Sequence, residues 1–238
     1  ALALANLIGG LFVIGHNVSL FFWPKISLQF TNASIHTKYN DGTASYDGLA
    51  NAKFSNNEAV NGGAIYSNDA SLKIKSTTYT NNKAQTAGGA IYNEGSSADL
   101  EIIVSSDNTF MQNTAGNGST TGSGGAIYNS GKQLTISNSS DSDVKAFYRN
   151  KAGSGGAIYN EEGTITVNGN IKFAENSAQT GGAITIAGSN SSTDHALVVF
   201  DLSDGDISFE NNNASGGESA GTAIYFGGTG GQIRVISD

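Results

Sequence analysis

This 238-residue chain has no Cys, so it has neither a disulfide framework nor a thiolate site. Acid–base or metal chemistry would fall to its His and carboxylate side chains. The three His are His16, His36 and His195, far apart in sequence. A metal site needs convergent ligands, and no spacing here brings these three together or supplies a Ser–His–Asp set. The acidic candidates are Asp99 with Glu101, Glu161 with Glu162, and Asp201 with Asp204 and Asp206. A polysaccharide lyase or hydrolase needs such groups on one face. These belong to separate stretches, and Glu161–Glu162 reads as a turn, so solvated turn charge is the simpler reading. DLSDGD (Asp201 to Asp206) clusters oxygen ligands of the kind Ca²⁺ takes, but it matches neither an EF-hand loop nor a calcium β-roll repeat. The expectation is no catalytic, cofactor-binding or metal site, and no enzyme.

The remaining chemistry is aromatic and amide, and it recurs. Six copies of one pattern run through the chain, each an aromatic, two variable residues, Asn, a small-residue corner, and then GGAIY or a close variant. The aromatics are Phe54, Tyr79, Phe110, Phe147, Phe173 and Phe209, and the asparagines Asn57, Asn82, Asn113, Asn150, Asn176 and Asn212. The glycine pairs are Gly62–Gly63, Gly88–Gly89, Gly124–Gly125, Gly155–Gly156 and Gly181–Gly182. They lead to Ile65, Ile91, Ile127, Ile158, Ile184 and Ile224, and these to Tyr66, Tyr92, Tyr128, Tyr159 and Tyr225, with Thr185 breaking the tyrosine series. A tyrosine column could bind a glycan or a protein, because aromatic side chains give large contact area. The plainer reading is that outward aromatics stack and stiffen the sheet.

The elements that position these residues follow from the period. Intervals between aromatics are 25, 31, 37, 26 and 36 residues, so a unit of about 25 coils once and longer units carry insertions. Such a unit accommodates three short strands, which pair in parallel with the next coil and bury their inner face only through neighbours. The predicted fold is all-β, a right-handed parallel β-helix of about eight coils with three short strands per coil. Parity comes from Thr185. Ile184 and Ile186 flank it on one face, so the Ile column is expected inside and the Tyr column outside, as an exposed strip. The aromatic before each Asn is expected inward. The Asn is expected at the turn, where it tolerates αL and can bond along its column. After each GGAIY a polar turn should precede an alternating strand at LKIKS, LEIIV, QLTIS, TITV, ALVVF and QIRVI. Extra length falls at 114–123 and 213–220 on one corner, and near 94–99, 137–145 and 187–196 on the other side.

The ordered FxxN and GGA[ILV] tetrapeptides over about residues 50–230 resemble those of chlamydial polymorphic membrane proteins and related autotransporter passengers. The chain departs from many such members in having no Cys, and these residues include no membrane β-barrel. The resemblance implies a secreted β-helix displayed at the bacterial surface or outside the cell, acting in adhesion to a host-cell or matrix protein or glycan.

Residues 1–30 are different: apolar, with the sole Trp and Pro. Ala3 and Ala5 fit a signal-peptidase site, but no basic segment precedes them, and the stretch reads as mature chain. It is expected to be a cap or a docking segment for another subunit, with Leu11, Phe12, Phe21, Phe22 and Trp23 as assembly candidates. Residues 31–53 look like one or two irregular coils, Phe30-Thr31-Asn32 being a contracted motif and YNDG and YDG turn signals. The closing QIRVISD reads as an uncapped strand. An apolar start and an open end suggest the alternative, a subunit that polymerises head to tail into an extracellular filament. Net charge is −8 and no basic run occurs, which argues against nucleic acid, and no apolar run is long enough for a membrane helix.

Overall fold

The structure, a computed structural model, describes residues 29–31, 35–38, 45–50, 52–69, 71–107, 109–118, 120–138, 140, 142–188, 196–217, 219–227 and 231–237. Among them there is no helix, and every strand pairing is parallel. The apolar segment with its assembly candidates, the YNDG signal, His16 and His195 lie outside these residues.

Each repeat turns through three legs, and equivalent legs stack. The aromatic legs are Gln29–Thr31, Lys53–Ser55, Thr78–Thr80, Phe110–Met111, Val144–Tyr148, Ile171–Ala174 and Ile207–Glu210, one seven-stranded sheet. Its register runs Phe30, Phe54, Tyr79, Phe110, Phe147, Phe173, Phe209. The second leg carries the Ile–Tyr pair: Ile35–Lys38, Ile65–Asn68, the starts of Ile91–Val104 and Ile127–Asn138, then Ile158–Asn160, Ile184–Ile186 and Ile224–Phe226. The third leg is the alternating strand, from Ser45–Ala50 and Ser71–Lys75 to Thr164–Asn168, Leu197–Asp201 and Gln232–Ile236. This arrangement is compatible with a β-helix or solenoid.

Two expectations about strands need correction. In the repeats that begin at Ile91 and Ile127, no turn separates the second and third legs, which form single strands of 14 and 12 residues. The additional residues near 94–99 are absorbed as a register shift between Gly95 and Asp99, because a bulge takes in residues without ending the pairing. YDG is likewise not a turn: it lies within Ser45–Ala50, and the register shifts between Asp47 and Leu49.

The core is the interior of the stack. Ile65, Ile91, Ile127, Ile158 and Ile184 are buried in one column, with Leu72, Ile74, Leu100, Ile102, Leu134, Ile136, Ile165 and Val167 facing them from the third leg. The aromatics fill the third side. Phe54, Tyr79, Phe110, Phe147 and Phe173 are fully buried. Consecutive rings from Phe54 to Phe209 stack with centroids 5.1, 4.8, 4.9, 4.6 and 5.0 Å apart. That matches the ~4.8 Å strand spacing, so one ring per coil fills the column without gaps. Burying each such side chain contributes roughly 1.5–3 kcal/mol. At the last coil Phe209, Ile224 and Ile233 are only partly buried.

Candidate functional site

The asparagines were expected at αL turns. The structure puts the turn one residue earlier: Asn56, Asn81, Gln112, Arg149, Glu175 and Asn211 have φ between 51° and 56°. That twist directs the following Asn inward, where Asn57, Asn82, Asn113, Asn150 and Asn176 are buried. From Asn82 to Asn176 each carboxamide is then saturated. Asn113 Nδ2 donates to Asn150 Oδ1 at 3.0 Å and to the Tyr79 carbonyl at 3.0 Å. Its Oδ1 accepts from Asn82 Nδ2 and from the Asn82 backbone N–H, both at 3.0 Å. Two donors and two lone pairs are thereby satisfied. The same hand-over runs from Asn57 to Asn82, Asn113, Asn150, Asn176 and Asn212. Between Asn82 and Asn176 the ladder leaves these side chains no free group for a ligand.

The glycine pair is the matching device on the next corner. At Gly124, φ is +67°, and a Cβ would lie 2.1 Å from the Ile127 carbonyl oxygen, so a side chain is excluded on both counts. Gly125 is excluded differently, by the next coil: its Cβ would lie 2.1 Å from the Gly156 carbonyl oxygen. Both motif halves thus permit close coil-on-coil approach.

A second ladder escaped the sequence reading. It occupies the position after each Tyr, where Asn93, Asn129 and Asn160 are buried. Asn93 Nδ2 donates to Asn129 Oδ1 at 2.9 Å, and Asn129 Nδ2 to Asn160 Oδ1 at 2.8 Å. The signal was present as the Asn of YN in three repeats. One coil before Asn93 this column holds Ser67, which is in register with Asn93 on one side and Thr37 on the other. Ser67 Oγ and Asn93 Oδ1 are buried with no hydrogen-bond partner among the described residues, as is the Tyr79 hydroxyl.

The tyrosine column points away from the Ile core but is not an open strip. Tyr66, Tyr92, Tyr128 and Tyr159 stack at 5.2, 4.6 and 5.6 Å with planes within 6° of parallel. Tyr128 is only 9 % exposed. The hydroxyls are held by carboxylates: Tyr66 and Tyr92 both donate to Glu94, the latter at 3.0 Å, and Tyr128 donates to Glu161. Burial first, then these carboxylates, pushes the Tyr66, Tyr92 and Tyr128 phenols above their ordinary pKa. Burial also raises Tyr159, with the Glu161 charge adding to it. Each interior ring is covered on both faces by its neighbours, so the strip presents ring edges and carboxylates. A glycan platform needs an open ring face, and the stack supplies none between Tyr66 and Tyr159. At the break, Thr185 is buried and donates to the Thr180 carbonyl at 3.0 Å.

The carboxylate candidates stay apart. Glu101 pairs with Lys73 at 2.9 Å, and Glu161 serves Tyr128. Asp201 accepts from Ser203 Oγ at 2.6 Å and from Ser203 N–H at 3.1 Å, bonds that hold its carboxyl below the usual range. Asp204 accepts from Asn168 at 3.3 Å. Among the described residues no group of His, Asp and Glu could hold a metal ion. Two surface features remain. The insertion at 114–123 is built around Asn117, whose Oδ1 accepts from the N–H groups of Thr120 at 2.8 Å and Thr121 at 3.0 Å. The loop then bonds back to the stack through Gly153 N–H to the Thr121 carbonyl at 2.9 Å. On the aromatic leg, Tyr148 has Lys145 Nζ and Arg149 Cζ each 4.6 Å from its ring centroid.

The repeat geometry now has a counterpart among known sequences. The model of the Chlamydia polymorphic membrane protein repeat matches residues 51–68, 80–94, 109–130 and 146–161. The chain carries that repeat. Each match falls on a unit described above, taking in part of the FxxN corner and the Ile–Tyr leg. The polymorphic membrane protein repeat matches end at 161, yet Asn176 and Asn212 extend the same ladder by two further rungs. No curated protein and no solved structure matches the chain.

Proposed function

We propose that this chain is a right-handed parallel β-helix of about eight coils, displayed at the bacterial surface as a non-catalytic adhesin module for a host-cell or matrix protein or glycan. The observation that carries this reading is the family match, on units whose repeated polar groups are engaged in stacking. Binding therefore belongs to the outer surface. The Asn117 turn and the Lys145–Tyr148–Arg149 patch are its best candidates, because each is held by contacts of its own and neither forms the core. Several weak contacts along the coils would add by avidity. The exposed Phe226, Val235 and Ile236 on the last coil favour a second reading, self-association at that end.

The test is binding of the labelled full chain to epithelial cells, matrix proteins and a glycan array, beside Asn117→Ala and Tyr148→Ala variants with unchanged circular dichroism. Binding that falls several-fold in either variant supports the proposal. A folded chain that binds none of the three classes of surface overturns it.

A further inference from the structure

The repeats differ at one position that the packing makes consequential: the second glycine of the pair is Thr222 in the last repeat. A Cβ at this position in earlier coils would meet the same atoms of the coil that follows. From Gly63, Gly89, Gly125, Gly156 and Gly182 it would lie 2.3, 2.0, 2.1, 2.1 and 2.1 Å from the carbonyl oxygen of the equivalent residue one coil on. It would also lie 2.7, 2.7, 2.5, 2.7 and 2.8 Å from the backbone nitrogen of the residue after the next ladder Asn. These are backbone atoms fixed by inter-coil hydrogen bonds, so they cannot swing aside as a side-chain tip does. Thr222 holds the same register. Gly182 N–H donates to the Gly221 carbonyl at 3.2 Å, and Ala183 N–H to the Ala223 carbonyl at 2.9 Å. Thr222 is exposed, and its branched side chain stands where the backbone of a following coil would run.

We propose that Thr222 closes this end of the stack to in-register addition of a coil, whether that coil comes from the same chain or from a second copy. The aromatic and asparagine columns set no such bar, because Phe209 and Asn212 are ordinary members of their series. One side chain therefore decides. Self-association through Phe226, Val235 and Ile236 is a contact of side chains and strand ends, and the continuous coil-on-coil ladder of a filament is excluded at this corner.

The test extends the full chain after Asp238 by a copy of residues 140–168. That segment keeps register because Ser137, Asn168, Asp201 and Ile236 share a column. The extended chain is compared with its Thr222→Gly version by amide hydrogen exchange. The appended amides should exchange at least tenfold more slowly in the Thr222→Gly version. Equal protection in both versions, or none in either, overturns the proposal. The mirror variant is Gly182→Thr in the unextended chain. It should strip protection from residues 207–237 while sparing residues 78–160, and an unchanged exchange pattern would count equally against the stop.

Discussion

Replacing Asn113 by Asp keeps the shape of the rung and removes its two donors. The variant carboxyl still accepts from Asn82, but its other oxygen faces Asn150 Oδ1 and the Tyr79 carbonyl, two acceptors that wild-type Asn113 satisfies at 3.0 Å each. A buried carboxylate between oxygens keeps its proton. Holding it neutral at pH 7, against an unfolded pKa near 3.9, costs about 4 kcal/mol at 1.36 kcal/mol per unit. The folded pKa is raised, so the variant's stability relative to wild type is best below about pH 4 and falls as pH rises through the folded value. Urea unfolding followed by circular dichroism at pH 4 and pH 7 reads this directly. Asn113→Asp should be about 4 kcal/mol less stable than wild type at pH 7, with the gap shrinking to about 1 kcal/mol at pH 4. A pH-independent loss below about 1 kcal/mol would refute the buried ladder.

Three other expectations follow from the orphaned and shifted groups. Tyr79→Phe removes the unpartnered hydroxyl from an otherwise phenylalanine stack and should stabilise by about 1–2 kcal/mol, read as a higher melting temperature; a drop would mean that the hydroxyl has a partner. Ser67→Asn adds a rung below Asn93, supplying a donor for its Oδ1, and should gain about 1–2 kcal/mol, whereas a loss would show that the column has no room. Tyr66, Tyr79, Tyr92, Tyr128 and Tyr159 are all raised, chiefly by burial. The unfolded chain ionises its tyrosines near pH 10 while the folded stack resists. Stability is therefore complete below about pH 10 and lost as pH rises through the folded values. Phenolate absorbance near pH 10 that accounts for all nine tyrosines, with no fall in melting temperature, would contradict this.

The period made the stack legible, because a repeated aromatic, Asn and Gly-Gly leaves few arrangements that bury the same residue types every coil. Parity was legible from a single exception, Thr185 between Ile184 and Ile186. The αL position was hidden, since it is filled by Asn, Gln, Arg and Glu and shows no residue pattern. The carboxylates that hold the tyrosine hydroxyls were hidden too, Glu161 because it read as a turn charge and Glu94 because nothing in the repeat marks it. Gly95 read as part of a turn, and only its pairing with Gly131 of the next coil shows that the strand passes through it.

The most direct test of the central claim, that the repeated asparagines are used in stacking, is amide exchange at Asn82, Asn113, Asn150 and Asn176 by NMR. Each backbone N–H donates at 3.0 Å to the side-chain oxygen of the next ladder Asn. The account predicts that all four exchange as slowly as the Ile127 and Ile158 amides of the core. Exchange at the rate of an unprotected amide would mean that the asparagines face solvent and are open to a ligand.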